Sequence, residues 1–379
     1  MAFVLSEEQT MLQDMAAQFF SEQAPVANLR KLRDNEDALG YDADIWSQIV
    51  ELGFAGILIP ENYGGTGFGP LGMGIIFEQA GRTLAASPLF STSCLGASLL
   101  LELGSEEQKQ ALLPKIAGGE LLLALAHEET AHHNPSHIAT TATRDGEAFV
   151  LSGEKRMVID GHIANKLIVV ARSSGATSDK DGISLFLIDA DTAGVTITRT
   201  NMVDSRNSAL VSLDNVRVSA DHLLGDLSAG FISLEKTLDL GRVMLAAEML
   251  GGIETIFETT LNYLKERKQF GAIIGSFQAL KHRAATMFCE LQISQTVVQD
   301  ALSALEDNRN DIGQVASLTK ARLCESSRLI TNEGLQMHGG IGMTDAVDIG
   351  LFMKRARVQS QIMGDVSFHS DRYATLGDY

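Results

Sequence analysis

The chain has few cysteines, a deficit of positive charge and no long apolar runs, and each shortage excludes a class of function. Its 379 residues include three cysteines, an odd number, at Cys94, Cys289 and Cys324. Spaced so widely, they form neither a disulfide framework nor a metal knuckle, and they suit a reducing cytoplasm. Lysine and arginine total 30 against 48 acidic residues, a formal net charge of −18. Such a surface repels phosphate backbones, which argues against nucleic acid as a partner. No polybasic segment or lipidation signal is present, which argues against a membrane surface. The opening MAFVLSEEQTMLQDM is acidic where a secretory leader is basic. Apolar runs such as LLLALA at 121–126 fall far short of a bilayer span. A soluble cytoplasmic protein is expected.

What is present is a well-cored chain, 45% hydrophobic and long enough for two or three domains. Its periodicity changes twice. Residues 1–120 read as a helical domain, in which Ser6-Glu7-Glu8-Gln9 and Ser105-Glu106-Glu107-Gln108 both match the capping box. Residues 121–226 read as a β domain: AFVLSGEKRMVIDG, KLIVVARSS, ISLFLIDA, GVTITRT and ALVSLDNVRVSA are short, rich in β-branched residues and bounded by turn formers. Strands that succeed one another without helices imply an antiparallel sheet or small barrel. Residues 227–379 return to helical spacing, with one long amphipathic run and three further helices at 277–306, 312–338 and 345–361. The fold class is therefore α+β, with a C-terminal four-helix bundle.

Four stretches invite a chemical reading. Gly-Phe-Gly-Pro-Leu-Gly at 67–72 matches G-x-G-x-x-G, but it lies between helical patterns and not between a strand and a helix, so a tight interhelical turn is expected. AHEETAHHNPSH gathers His127, His132, His133 and His137, yet Asn134-Pro135 prevents a helix from aligning them as metal ligands. A loop of exposed histidines and no metal site is expected there. QMHGGIGM at 336–343 ends a helical run with glycines, which a helix C-cap explains equally well. The stretch LKERKQFGAIIGSFQALKHR at 264–283 is basic in an acidic chain. Its charge suits a helix C-terminus, whereas its arginine, amides and phenylalanines together suit an anionic, flat heteroaromatic ligand.

Within that stretch RKQFGAIIGSFQALKHRAA resembles the flavin-binding signature of the acyl-CoA dehydrogenase family, and QMHGGIGMT resembles its C-terminal signature. WSQIVELGFAGILIPENYGGTGFG, LSGEKRMVIDG and DNVRVSADHLLG are similar to further motifs of that family, in the same order. The resemblance implies a helical domain, a β domain and a four-helix bundle, noncovalently bound FAD, and a homo- or hetero-oligomer, usually a tetramer. It also implies an acyl-CoA substrate and an electron-transfer flavoprotein as acceptor. By motif, Arg267, Gln269, Phe270, Phe277 and Gln278 contact FAD, as do Gln336, Gly339 and Gly340 across a subunit interface. Met157 and Ile159 stand where the family covers the flavin ring with Trp and Thr, and the family's Thr-Glu-Pro-Gly-Ala-Gly-Ser loop matches Ala126–His132. Asp239 and Arg242 match positions that hold the pantetheine arm of CoA.

The implied reaction is α,β-dehydrogenation of the thioester, in which a carboxylate removes the α-proton. The usual glutamate position falls on Met363, and the alternative position on the long helix falls on Gly241. Asp365 is the nearest carboxylate in sequence, as base or as helix cap. Met363-Gly364-Asp365 resembles the Phe-Gly-Asp of small or β subunits of heteromeric acyl-CoA dehydrogenases, whose partner supplies the acid–base residue. A non-catalytic or half-site subunit is the alternative expectation.

Overall fold

The computed structural model describes residues 5–379. Helices α1 (Glu7–Gln23), α2 (Val26–Asp34), α3 (Ala43–Glu51) and α4 (Gly69–Thr83) precede a π-helical segment, Leu89–Gly96, which runs into α5 (Ala97–Leu103) and is followed by α6 (Glu106–Ala117). Both expected capping boxes form. Ser6 Oγ accepts the Gln9 N–H at 3.2 Å while Gln9 accepts the Ser6 N–H at 2.9 Å, and Ser105 with Gln108 repeats the exchange. The glycine loop is preceded by a 3₁₀ turn, Glu61–Tyr63, and not by a strand. Gly65 is required there, because a Cβ would stand 1.9 Å from the Ile59 carbonyl oxygen.

The strands are β1 (Leu123–Ala126), β2 (Thr141–Asp145), β3 (Ala148–Ile159), β4 (Lys166–Arg172), β5 (Ile183–Asp189), β6 (Val195–Asn201), β7 (Asn207–Ser219) and β8 (Leu223–Leu224). They form one sheet in the order β6-β7-β3-β2-β4-β5-β8, and β1 also pairs with β4. The sheet is not wholly antiparallel as the sequence suggested: β1 runs parallel to β4, with Leu123 opposite Lys166. The reason lies in LLLALA, whose strand residues are all buried, as a strand covered on both faces requires. Leu167, Val169, Phe186, Ile188 and Val211 build the core beside it. Each such side chain contributes about 1.5–3 kcal/mol on burial. Thr92 Oγ1 of the π-helical segment bonds both the N–H and the carbonyl of Leu123, at 3.0 and 3.1 Å, and so fixes that segment against β1.

Helix α7 (Phe231–Glu266) is followed by a hairpin, β9 (Lys268–Gln269) and β10 (Ala272–Ile273), then α8 (Gln278–Glu306), α9 (Ile312–His338), α10 (Ile349–Gln359) and α11 (Val366–Leu376). The sequence did not anticipate α11 as a helix, because His369 is its one buried residue and it carries no apolar stripe. Among the described residues no helix is long and apolar enough to cross a membrane.

The chain divides into two compact units. One comprises the segment ending at Lys31, Pro70–Ala85 and Arg242–Tyr379, and the other comprises Leu32–Gly69 and Ala86–Gly241. In the first unit, α4 and α7 touch backbone to backbone: a Cβ on Gly81 would lie 2.0 Å from the Glu248 carbonyl oxygen, and one on Gly251 1.8 Å from that of Glu78. Arg355 grips the buried Glu248 at 2.8 and 3.0 Å, and Arg82 reaches Glu254 at 2.7 Å and Glu258 at 2.6 Å. Burial, and then the charge of Glu254, push Glu78 up to about 8 against the pull of Arg82.

Linkage fixes the sign of the consequence. Folded Glu78 keeps its proton up to about pH 8, whereas the unfolded chain releases it near 4.5, so stability declines as pH rises between those values. Urea unfolding across that window is expected to show the decline in the wild type and a flatter profile in Glu78→Gln, with the variant relatively more stable at the alkaline end. Parallel profiles would contradict the assignment.

Candidate active site

The basic stretch builds a small projecting structure. After α7, β9 pairs with β10 around a turn at Phe270 and Gly271, whose φ angles of 54° and 78° are both left-handed, as a tight two-residue hairpin turn requires. Phe270 is thereby thrust outward and is 94% exposed, with the Phe277 ring edge-on at 6.3 Å. Arg267, Gln269 and Gln278 are exposed as well. The Arg267 side chain makes no ion pair or hydrogen bond among the described residues. Helix α8 begins beside it at Gln278 with no side-chain cap, which leaves first-turn N–H groups without side-chain acceptors.

The second glycine motif lies against the same corner. Tyr263, one turn before Arg267, stacks on His338 at 4.4 Å and donates its hydroxyl to the His338 carbonyl at 3.3 Å. Gln336, Gly339 and Gly340 are exposed, and a Cβ on either glycine would meet nothing within 4 Å. Gly339 needs glycine for its φ of 64°, whereas neither the backbone nor a neighbour imposes it at Gly340.

A third group surrounds Met363. Helix α10 ends at Gln359, the chain turns through Met363 (φ 58°) and Gly364 (φ 105°), and α11 begins at Val366. Asp365 is the N-cap of α11, with Oδ1 accepting the Phe368 N–H at 3.0 Å; Oδ2 makes no hydrogen bond among the described residues. Met363 is 3% exposed, and its N–H finds no acceptor among the described residues. Its carbonyl oxygen lies 3.0 Å from His369 Nε2. Lys320 of α9, fully buried, donates to the carbonyls of Gln359 at 2.9 Å and Gly364 at 3.0 Å. Arg242 is also buried, with its guanidinium 5.7 Å from the Phe368 ring centroid; Asp239 is buried in the other unit. Sequence reasoning missed Lys320 and His369. The available signal was a lysine placed by helical period on the same buried stripe as Ala316, Leu323 and Ser327.

In the β unit, the pairing of β3 with β7 shifts register between Lys155 and Val158, and this bulge puts Met157 at φ 49° and leaves it 41% exposed beside the half-buried Ile159. The histidine loop differs from expectation. His127 is buried, and the His133 side chain is only 2% exposed, because both pack around Glu128. His127 Nε2 lies 3.1 Å from Glu128 Oε1, and His133 Nδ1 bonds the same oxygen. Burial alone would raise the Glu128 carboxyl, but the two imidazoles hold it well below the usual carboxylate range. Next to it, Glu129 takes the buried Lys155 at 2.5 Å and the N–H groups of Ala139 and Thr140 at 2.5 and 3.0 Å. Burial pushes Lys155 down to about 8 despite that partner.

Models of the N-terminal, middle and C-terminal domains of acyl-CoA dehydrogenase match residues 6–120, 124–216 and 228–371. A probable acyl-CoA dehydrogenase of Bacillus subtilis, YngJ, is 32% identical over 94% of this chain and 94% of its own. The chain belongs to the acyl-CoA dehydrogenase family. It is an oxidoreductase of that family, with a flavin cofactor. A 3-(aryl)acrylate reductase of Clostridium sporogenes is 30% identical over 93% of this chain and 94% of its own. A variant of the Tcur3481-Tcur3483 steroid ACAD has a solved structure that superimposes with a TM-score of 0.88 at 31% identity, covering 98% of both chains.

Removing Glu129 strands the Lys155 charge in a fully buried position. Glu129→Ala is expected to lose about 3–5 kcal/mol in urea unfolding, and the double variant Glu129→Leu/Lys155→Met to recover most of it. Additive losses would show that the pair is not coupled.

Proposed function

We propose that this chain catalyses FAD-dependent α,β-dehydrogenation of an acyl-CoA thioester to the 2-enoyl-CoA. The observation that carries the reading is the Met363 N–H, a donor without an acceptor among the described residues in a buried residue of a pinned turn. A thioester oxygen is the partner it lacks. Negative charge gathers on that oxygen as the α-proton leaves, and a donor already in place stabilises it without reorganisation. Bound FAD would supply the other half of the chemistry, acceptance of the β-hydrogen as hydride.

The residues present fit that cofactor. Arg267 offers an uncommitted bidentate donor for a pyrophosphate, and Phe270 and Phe277 offer aromatic surface. The open space over Gly339 and Gly340 admits a ligand to the backbone. Gln269, Gln278 and Gln336 supply amides around it, all on an exposed face that would serve the flavin of a neighbouring subunit. Met157 and Ile159 would flank the ring at the β3 bulge, and Asp239 and Arg242 would hold the pantetheine arm. Asp365 would accept the α-proton through Oδ2, since its cap uses only Oδ1. Electrons would leave to an electron-transfer flavoprotein, the acceptor that the family implies.

A second reading rests on the same Asp365, whose place is set by its cap, and on the absence of a carboxylate at Met363 and Gly241. Under it the chain completes a partner's flavin site as the β subunit of a heteromer. The name Tcur3481-Tcur3483 steroid ACAD, which joins two designations, supports this assembly for a relative.

Anaerobic addition of an acyl-CoA panel to the flavin-loaded chain separates the readings. Asparagine caps as well as aspartate but is no base, so Asp365→Asn is expected to keep its stability and slow flavin bleaching by about 10²–10⁴-fold. A wild type that does not bleach, with Met363→Glu that does, would mean a half-site. Bleaching by neither would remove the proposed reaction. Independently, Gly340→Leu is expected to change stability by no more than about 0.5 kcal/mol while the purified protein loses its flavin. Full retention of flavin would take Gly340 out of the cofactor site.

A further inference from the structure

We infer that Lys320 is a positioning residue that holds the thioester-oxygen donor in place, an inference that rests on the dehydrogenase reading above. Lys320 is 0% exposed, and a buried ammonium is costly unless its three donors are matched. Here they are matched: Gln359 O at 2.9 Å, Gly364 O at 3.0 Å and Cys324 Sγ at 3.4 Å. Two of these acceptors bracket Met363, one at the end of α10 and one at the residue after it. His369 Nε2, 3.0 Å from the Met363 oxygen, fixes the Met363–Gly364 peptide, the one that follows the donor. Met363 itself sits at φ 58°, a conformation that costs a non-glycine residue about 1–3 kcal/mol and persists only where its surroundings over-determine it. The clasp supplies that surplus of constraints. The clasp ties α9 to both ends of the segment from Gln359 to Gly364, within which the Met363 N–H has no acceptor among the described residues. Lys320 therefore acts on the reaction through the direction of the Met363 N–H and not by touching the substrate.

The test reads carbonyl polarisation, which needs neither a base nor turnover. A 2-enoyl-CoA is bound to the flavin-loaded chain and its thioester carbonyl band is followed by infrared difference spectroscopy. The wild type is expected to move the band to lower frequency. Lys320→Met is expected to lose most of that shift while affinity falls by less than about tenfold, and in the turnover assay to lower kcat by about 10²-fold with KM little changed. Cys324→Ala, which touches only the third donor, keeps the shift. If Lys320→Met does not fold, Lys320→Ala refilled with propylammonium provides the same comparison, and the amine is expected to restore the shift. A full shift in Lys320→Met, or in Lys320→Ala without amine, overturns the inference alone. No shift in the wild type overturns the donor reading and the inference with it.

Discussion

The N–H of Met363 is the constraint around which the C-terminal helices are arranged. A buried backbone donor normally finds a partner, since leaving one unpaired costs about as much as a lost hydrogen bond. Several neighbouring groups are satisfied, and this one has no acceptor among the described residues. The Met363 carbonyl meets His369, the Gly364 and Gln359 carbonyls share Lys320, and Asp365 caps α11. Helices α9, α10 and α11 thus converge on a turn of left-handed backbone. Their cost is borne so that one donor stays open. Met363 offers no carboxylate there, but a donor of this kind belongs to the backbone and survives any change of side chain except to proline.

The opposite situation holds at the hairpin after α7. There the groups are exposed and, among the described residues, uncommitted: the Phe270 ring is in solvent, Arg267 has no ion-pair partner, and Gly340 is a glycine for which neither its backbone nor its neighbours give a reason. An exposed aromatic beside an unpaired cation is a poor arrangement for a surface that meets only water. It is a sensible one for a surface that meets an anionic aromatic ligand or another subunit. Under the proposed function the two groups would carry their roles in different ways, one by an unmet need inside the fold and the other by unmet needs outside it.

Much of this was legible in the residues. Capping boxes marked the starts of α1 and α6, and helical periodicity placed α8 and α9 within a residue of their bounds. The parallel pairing of β1 with β4 was not legible, since four buried residues in a row carry no record of their neighbour's direction. Helix α11 escaped for want of a stripe. His132 is exposed as expected, but His127 and His133 are not, because sequence shows that Pro135 forbids a helix and not that Glu128 draws two rings inward. Lys320 was invisible as a clasp, since its acceptors are carbonyls 39 and 44 residues away.

The account rests on where a thioester oxygen binds. The most direct measurement is a crystal structure of the flavin-loaded chain with a bound 2-enoyl-CoA. The account predicts the thioester oxygen at about 2.7–3.2 Å from the Met363 nitrogen, with the Lys320 clasp intact. A thioester bound elsewhere, or a Met363 N–H turned onto a protein acceptor in the complex, would contradict it.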